Sequence, residues 1–430
     1  MQTMCTGSGK IGGTILCGRR KNVLRRKNYW LLFAILLLSL TSLSPSMELN
    51  TSDGPHLVSK PQSQSTNPST GEEGVVDSLR ITVSLSSEEF RELELISSRY
   101  TLSTGVKVEL NNVDRESADK TLIQDLTIGD SPDVVMTDGR NILDLATQGY
   151  LLPVDVYQSV PGSAPLTMLI PLMQWNGYNW GVPLDIDPYV LVYSPKHLAA
   201  LGLSALPRSL DEWKMLLQNL LKGSGKHLLA MDTRNAYGFS AVLESMGSSL
   251  LSGNLETLEW LQHARGYFYL TSRYNRDIWD MLKDGSIAIA TLPLSEWRKY
   301  GDSSLIAEAP LMASKATGLE ALYSRSFALP AQSRNPEEAV NWLAFVTSKS
   351  AQLEWLENTG GLPALDELYR SGLPVGYKLP FATDILLTDE TAPEQELQGG
   401  WSKISEAVSL LLTGKLDAAG YKALLGQSSK

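Results

Sequence analysis

Serine, histidine, lysine and paired carboxylates are the residues of this chain that could perform covalent or acid–base chemistry, but their spacing matches no catalytic motif. The sequence contains neither the Gly-x-Ser-x-Gly nucleophile turn nor the His-Glu-x-x-His zinc-protease motif. The two Gly-Ser-Gly-Lys segments, which begin at Gly7 and Gly223, lack the spacing of a phosphate-binding loop and its final Ser or Thr. Carboxylate pairs of the kind that glycosidases use occur, as they do in any acidic chain. No nucleophile–base arrangement accompanies these pairs. The sequence therefore favours a binding protein over an enzyme.

Metal and cofactor chemistry are not indicated either. The four histidines are scattered without ligand spacing, and both cysteines, Cys5 and Cys17, lie close to the N-terminus. The rest of the chain therefore contains no thiol, can form no disulfide and shows no zinc motif. We predict no metal, no cofactor and no catalytic residue.

Polar residues at the ends of predicted strands are the remaining candidates for contact with a ligand. The run Asp133–Asp138 indicates an apolar strand that ends in Thr137 and Asp138. Two later apolar runs end in the polar loop Asp232–Tyr237 and near Trp297. In parallel α/β sheets, ligands bind beyond the carboxyl ends of the strands. Thr137 and Asp138 are therefore expected to face a ligand.

The elements that position these residues alternate between strand and helix. Leu79–Leu85 alternates apolar and polar residues at the period of a strand, and a helix with a Ser86/Glu89 capping box follows it. The second half repeats this order, with a strand at Val190 and a capped helix after it. The β-α-β-α order predicts an α/β fold with a mainly parallel sheet and helices on both faces.

The charge distribution argues against nucleic acid as a partner. Residues 1–28 hold seven of the 37 basic residues and no acidic one, so the rest of the chain carries 30 basic and 47 acidic residues, a net charge near −17. Phosphate binding requires a basic surface, which this acidic body does not offer. A chain of 430 residues with 43% hydrophobic content is long enough for two lobes with sizeable cores.

The N-terminal segment predicts export. A basic leader, 1–28, precedes the apolar stretch Tyr29–Leu43, which is the order of an export signal. The positive charges place the leader in the cytoplasm and the later residues outside. The small-residue cleavage sites that follow are weak, and Pro45 interferes with them. An uncleaved or slowly cleaved anchor helix at 29–46 is therefore favoured over release, and both fates stay open.

Residues 47–78 predict a flexible linker between this helix and a folded body at 79–430. The segment is rich in Ser, Thr, Pro, Asn and Gln. A composition of this kind cannot bury enough apolar surface to fold by itself. The linker is long enough to hold the body clear of a membrane. A disordered exported tail with no role is the alternative, and both stay open.

Several segments resemble the family 1 extracellular solute-binding proteins, which capture sugars for ABC importers. Gln174–Trp213 resembles the family's signature segment, with its Gly-Val-Pro and Leu-Val-Tyr-Ser-Pro-Lys motifs. Pro207–Trp213, the end of this segment, matches a family motif of its own, and three further segments match family motifs in the family's order: Ser131–Asp138, Gly285–Trp297 and Asn335–Ser348. The resemblance covers about residues 79–425. Each motif is weak alone, but their common order is specific.

The resemblance implies a two-lobed periplasmic-binding-protein-like fold of class II with several hinge crossings. By this analogy, lobe 1 holds about 79–184 and 322–363, and lobe 2 holds about 190–315 and 364–430. Leu184–Tyr189 would be the first crossing, about which the lobes close on a ligand. The implied partners are a carbohydrate and the transmembrane subunits of an ABC permease. The protein would act as a monomer on the extracytoplasmic face of the membrane.

The resemblance also implies which residues contact the ligand. Sugars offer apolar C–H faces to aromatic rings and hydroxyl groups to carboxylates and amides. The positions that match the family's contacts are Asp138, Asp187, Asn235, Tyr237, Trp297 and Trp401, with Tyr323 and Arg325 as further candidates. Each has a simpler interpretation: Asp187 and its neighbour Asp185 could cap a turn beside Pro188, and the tryptophans could pack in the core. The chain departs from the family at 86–89, where Ser-Ser-Glu-Glu replaces an aromatic-rich segment.

Two other functions stay open. A tethered sugar-binding receptor that reports to a sensor kinase is slightly favoured by the lack of a lipid-anchor cysteine after the apolar stretch. A non-sugar solute such as a polyamine would suit acidic residues in a cleft. Neighbouring permease genes would indicate import, and a neighbouring histidine-kinase gene would indicate sensing.

Overall fold

The computed structural model describes residues 78–428 apart from 115–116, 158–163, 224, 251–252, 273–275, 311–319, 375–376 and 388–399. The predicted leader and anchor helix, and the predicted linker up to residue 77, lie outside the described residues. Among the helices that are described, none has both the length and the apolar composition needed to cross a membrane.

The described strands form an eleven-stranded mixed sheet and a separate two-stranded hairpin. The strands are β1 (Leu79–Val83), β2 (Val108–Asn112), β3 (Val134–Asp138), β4 (Leu151–Leu152), β5 (Gln174–Trp175), β6 (Tyr178–Asn179), β7 (Val182–Tyr193), β8 (His227–Asp232), β9 (Phe268–Thr271), β10 (Ile287–Pro293), β11 (Ile306–Glu308), β12 (Leu322–Pro330) and β13 (Leu362–Pro363).

Strand β7 joins two parts of the large sheet. The order is β2-β1-β3-β12-β7-β10-β8-β9, with β4 beside β12 and with β11 and β13 beside β7. Residues Val182–Pro188 of β7 pair with β12, and Tyr189–Tyr193 pair with β10. All twelve residues of β7 are buried. We call β2-β1-β3-β12 with the first part of β7 the first half of the sheet, and β10-β8-β9 with the second part the second half.

The sheet is more mixed than the sequence predicts. Strands β1, β2 and β3 are mutually parallel, as are β8, β9 and β10, but β12 and β7 run antiparallel to their neighbours. The prediction of parallel strands holds for β1, β2 and β3 and for β8, β9 and β10, because crossover helices connect consecutive strands there. It is wrong for β7 and β12, since these strands connect the halves and no local pattern specifies their direction.

Fifteen helices are described around the sheet. They are α1 (Ser87–Thr104), α2 (Ala118–Ile128), α3 (Ile142–Thr147), α4 (Ile170–Met173), α5 (Pro195–Ala200), α6 (Leu210–Leu220), α7 (Tyr237–Ser245), α8 (Leu255–Ala264), α9 (Arg276–Asp284), α10 (Leu294–Tyr300), α11 (Pro336–Val346), α12 (Lys349–Thr359), α13 (Asp366–Arg370), α14 (Trp401–Leu412) and α15 (Ala418–Ser428).

Local sequence explains the start and end of the helix that follows β1. Ser86 accepts a hydrogen bond from the backbone of Glu89, and the Glu89 carboxylate accepts one from the backbone of Ser86, which confirms the predicted capping box. The helix ends at Gly105, whose φ of 80° is left-handed. This cap fixes Glu89 at the carboxyl end of β1, where the site described below is found.

Three apolar clusters form the core. One lies around β1 and β3 and includes Trp342 and Trp355, and a second lies around β8 and includes Trp213. The third includes Trp279 and takes residues from both halves of the sheet, among them Ile186 of β7. The two halves therefore share part of their buried surface along β7.

Candidate binding cleft

Two cavities open between the halves of the sheet at the carboxyl ends of its parallel strands. The larger, the first cavity, has a volume of about 520 Å³, and the second has a volume of about 460 Å³. Ser84 follows β1, Asp138 ends β3, Asn235 follows β8 and Ser295 follows β10. The cleft is thus where the sequence predicts ligand contacts.

The first cavity is lined by side chains from both halves. They are Ser84, Ala118, Met136, Thr137, Asp138, Arg234, Asn235, Tyr237, Ser272, Tyr323 and Arg325. Polar and aromatic groups therefore face each other across it.

A hydrogen-bonded pair connects the two sides of the first cavity. The Tyr237 hydroxyl, at the start of α7, donates to Asp138 at 2.7 Å from Oδ1 and 2.8 Å from Oδ2. Asp138 also accepts from the backbone N–H of Arg140 at 3.0 Å. Burial, reinforced by the charge of Asp138, raises the pKa of Tyr237 well above its usual value. The phenol therefore stays protonated and acts as a donor at neutral pH.

Tyr237 is the centre of an aromatic group. Its ring stacks on Tyr189 with centroids 5.7 Å apart, meets Tyr323 edge to face at 5.3 Å and lies 4.6 Å from Trp401. The Arg140 guanidinium lies 4.2 Å from the centroid of Trp401. Such contacts hold Tyr237 in one orientation, so that its hydroxyl points to the cleft as a fixed group.

The loop after β8 presents an amide and a guanidinium to the first cavity. The Asn235 side chain donates to the Tyr189 hydroxyl at 3.1 Å and accepts from the backbone of Tyr237 at 3.1 Å. Arg234 is held by the buried carboxylate of Asp232, whose Oδ2 is 2.7 Å from Nη2. Both side chains are oriented by neighbours in the second half.

The second cavity is lined mostly by polar and charged groups. They are Ser84, Leu85, Ser86, Glu88, Glu89, Asn112, Val113, Asp114, Asp187, Pro293, Ser295, Glu296, Lys299, Tyr300, Tyr323, Arg325 and Thr359. Five carboxylates stand against two cations in this set.

Asp187 is a buried carboxyl on the wall of the second cavity. Its Oδ1 accepts from the Ser295 backbone N–H at 2.9 Å, and its Oδ2 accepts from the Ser295 hydroxyl at 2.5 Å. Burial raises the pKa of Asp187 to about 7, against these two hydrogen bonds, which lower it. Asp187 therefore titrates near neutral pH.

Arg325 lies where the cavities meet and is held by two carboxylates. Its guanidinium forms a two-pronged ion pair with Asp185, with Nε 2.9 Å from Oδ1, and Nη1 is 2.6 Å from Oε1 of Glu89. Asp185 is fully buried and also accepts from Trp355 Nε1 at 2.7 Å. Burial raises the pKa of Glu89, but the charge of Arg325 and the hydrogen bonds from Ser86 outweigh it and hold the pKa at about 2. The Arg325 side chain is therefore held in one position where it lines the two cavities.

One further contact connects the two sides at the second cavity. Lys299 of α10 forms an ion pair with Glu88 of α1. Both side chains are well exposed, at 38% and 63%. Exposed pairs of this kind contribute about 0–1 kcal/mol.

The structure brings six of the eight predicted contacts to the cleft. Asp138, Asn235 and Tyr237 line the first cavity, Asp187 lines the second, and Tyr323 and Arg325 line both. The two tryptophans line neither. Trp297 is half-buried on α10 with its ring 6.3 Å from Trp279, and Trp401 is buried against Tyr237.

Several side chains that line the cleft were not among the predicted contacts. Ser84 and Ser272 directly follow strands, and Arg234 is the second residue after β8. Glu88 and Glu89 lie in the first turn of α1, just after β1. Their position immediately after apolar runs is the signal that could have identified them. No described group of three or more His, Cys, Asp or Glu side chains is arranged to hold a metal ion. What the site offers chemically is hydrogen bonding and ring faces.

The sequence model of the bacterial extracellular solute-binding protein family matches residues 96–377. A comparison with curated proteins found no match.

Solved structures share the fold at low identity. The GacH receptor of Streptomyces glaucescens, solved unliganded and with acarbose, is 17% identical over 81% of this chain and 96% of its own, with a TM-score of 0.63. A solute-binding protein from Thermotoga lettingae bound with alpha-D-tagatose is 18% identical over 82% and 98%, with a TM-score of 0.63. UgpB from Mycobacterium tuberculosis with glycerophosphocholine is 18% identical over 82% and 97%, with a TM-score of 0.65. The chain therefore has the mixed α/β, two-lobed fold of periplasmic binding proteins.

Proposed function

This chain belongs to the bacterial extracellular solute-binding proteins, and from this premise we propose that it captures a carbohydrate in its cleft and delivers it to the permease of an ABC importer. The observation that carries the proposal is the first cavity, where the carboxylate of Asp138 and the amide of Asn235 lie beside the rings of Tyr237 and Tyr323. Carboxylates and amides bind sugar hydroxyl groups, and rings cover the C–H faces. The acarbose and tagatose in the names of two structural relatives support the same class of solute.

We further propose how capture and delivery are organised. Lobe 1 holds about 79–184 and 322–363, lobe 2 holds about 190–315 and 364–430, and the crossing at Leu184–Tyr189 lies in β7, which pairs with both halves. Closure about this crossing encloses the solute and creates the surface that the transmembrane subunits of the permease bind. The apolar segment at 29–46 either holds the monomer at the extracytoplasmic face of the membrane or is removed as a signal.

A cationic solute such as a polyamine is the second candidate, because carboxylates outnumber cations around the second cavity. A receptor that reports to a sensor kinase would use the same capture step, and a histidine-kinase gene beside this one would favour it.

A thermal-shift screen of the purified full-length protein against sugars and polyamines tests the solute class. A solute at a hundredfold excess over its Kd stabilises the folded state by about 2.7 kcal/mol. Asp138→Ala should raise the Kd of a sugar hit about tenfold or more, since hydrogen bonds to a charged group contribute about 1.5–3 kcal/mol. Asp130→Ala is the matched control, because its carboxylate is 71% exposed outside the cleft. A screen in which only polyamines raise the melting temperature would refute the carbohydrate proposal.

A further inference from the structure

A row of contacts joins the two sides of the cleft just beyond the carboxyl end of β3. The Tyr237 hydroxyl donates to the carboxylate of Asp138, at 2.7 Å from Oδ1 and 2.8 Å from Oδ2. Two residues further along the chain, the Arg140 guanidinium lies 4.2 Å from the ring centroid of Trp401 and 5.8 Å from that of Tyr237. A carboxylate and a guanidinium of one side thus meet a phenol and an indole of the other.

A third contact extends this row to the next helix. Asp144, in the first turn of α3, accepts a hydrogen bond at 3.0 Å from the backbone N–H of Gly400, the residue before α14. We call the residues of these three contacts the latch, which consists of Asp138, Arg140 and Asp144 on one side and Tyr237, Gly400 and Trp401 on the other.

Each side of the latch is anchored in its own half. Asp138 ends β3, which pairs with β1 and β12. The turn after it lies so close to β12 that a Cβ at Gly139 would clash with the hydroxyl of Ser324. Tyr237 and Trp401 belong to the apolar cluster around β8. The latch therefore joins segments that are held by different halves of the sheet.

The latch is made from protein groups alone. Four of its residues line neither cavity, namely Arg140, Asp144, Gly400 and Trp401. Arg140 and Trp401 are buried, with 8% and 7% of their surface exposed. Electrostatic contacts that are shielded from water are stronger than exposed ones such as the Lys299–Glu88 pair. The contacts of the latch thus need no solute in the cleft.

We propose that the latch holds the two halves together in a substantial fraction of the molecules when the cleft contains no solute. The latch acts in the unliganded protein, beyond the proposed capture of a solute, and rests only on the closing motion proposed with it. Closure then costs less free energy when a solute binds, so the latch tightens the binding of every solute by the same factor. Arg140 and Asp144 are positioning residues that change affinity without touching the solute.

Double electron–electron resonance between spin labels tests the latch in the full-length protein without any solute. The only native cysteines are Cys5 and Cys17. Replacing both with Ser leaves Glu94→Cys on α1 and Glu259→Cys on α8, two exposed positions, as the only sites for labels. Helix α1 packs in the cluster around β1, and α8 packs in the cluster around β8. The distance between the labels therefore reports the separation of the halves, and we expect a closed and an open distance.

Two variants with matched controls assign the closed distance to the latch. Arg140→Met and Asp144→Ala should each lower the ratio of closed to open molecules about fivefold, through the loss of one contact. Asp211→Ala is the control for Asp144→Ala, because Asp211 also lies in the first turn of a helix and its side chain is 93% exposed. Arg99→Met is the control for Arg140→Met, because Arg99 pairs with Glu354 on the surface. Both controls should leave the ratio unchanged.

Two results would overturn the latch: a single open distance in the parent protein, or a distance distribution that neither Arg140→Met nor Asp144→Ala changes. Asp144 is only partly buried on α3, so its variant carries the test if Arg140→Met does not fold. Because no solute is added, these results do not depend on whether the cleft binds a carbohydrate. A thermal-shift screen without a sugar hit would refute the carbohydrate proposal and leave the distance measurement valid.

Discussion

Replacing Arg325 tests the account of the buried charges beside the cleft. Its guanidinium holds Asp185, which has no exposed surface and whose only other contact described above is Trp355 Nε1. Arg325→Met keeps the length and apolar stem of the side chain but removes the charge. The variant leaves the carboxylate of Asp185 buried without a counter-charge. Glu89 is less affected because its side chain is 18% exposed and its capping box remains.

The expected loss is large. Breaking a buried ion pair by removing one partner costs about 3–5 kcal/mol, because the remaining charge cannot be hydrated. This is a large fraction of the roughly 5–15 kcal/mol by which domains are stable. Arg99→Met is the matched control, since Arg99 forms a two-pronged pair with Glu354 on the surface, with both side chains at least one-third exposed. Its loss should cost about 0–1 kcal/mol.

Urea unfolding followed by tryptophan fluorescence measures both losses, with the slope m confirming that each variant unfolds as the parent does. Adding Asp185→Asn to Arg325→Met removes the buried charge while keeping an oxygen for Trp355. The double variant should recover about 2–3 kcal/mol relative to the sum of the single losses. If Arg325→Met costs no more than Arg99→Met, or if the two losses simply add, the buried-charge reasoning is wrong.

Three further predictions concern single contacts near the cleft. Asp187→Asn should flatten the pH dependence of stability. The pKa of Asp187 is raised to about 7 in the folded state, so this group stabilises the folded state fully below its unfolded pKa near 4. That stabilisation is lost as the pH rises to about 7. Urea unfolding at several pH values measures this slope. Tyr237→Phe should lower the free energy of unfolding by about 1.5–3 kcal/mol, measured by the same assay, because it removes the hydroxyl that donates to the carboxylate of Asp138. Gly361→Ala should lower the melting temperature by the equivalent of about 1–3 kcal/mol, because the added Cβ would lie 2.8 Å from Trp355 Nε1.

Each of these has a control on an open surface. Asp130→Asn should leave the pH slope unchanged, and Tyr178→Phe should change stability little because that ring is 57% exposed. Gly266→Ala should be near neutral, since its Cβ would meet nothing within 4 Å. A slope that survives Asp187→Asn would assign the titration to another group. A Tyr237→Phe variant as stable as the Tyr178→Phe control would remove the argument for the bridge to Asp138.

The local sequence pattern predicts which strand ends meet at the cleft, but it does not predict which charged residues pair there. Asp138 and Tyr237 end or follow apolar runs, so their approach could be expected once parallel strands were predicted. Asp185 and Asp187 look equivalent in sequence, two residues apart on β7. Only the first lies directly opposite Arg325, because the register of β12 on β7 places Arg325 across from Asp185 and Tyr323 across from Asp187. The register between two strands so distant along the chain cannot be predicted from the local sequence pattern of either.

The tryptophans illustrate the same limit. The spacing of Trp401 fits a helix start, but nothing nearby shows which side of α14 meets the core. The structure buries this ring between Tyr237 and the guanidinium of Arg140. Helix α10, which carries Trp297, likewise packs so that this ring lies near Trp279.

The position of β12 in the chain determines when the molecule can fold during synthesis. Strand β3 pairs on one side with β1 and on the other with β12, which is made only after the whole second half. Until then the nascent chain carries an open edge at β3, and such edges invite pairing with other chains. Strand pairings this remote also form slowly. The first half of the sheet can therefore be completed only late in translation. For a member of an extracellular family, this delay would leave that part of the chain in a state that can be threaded through a membrane.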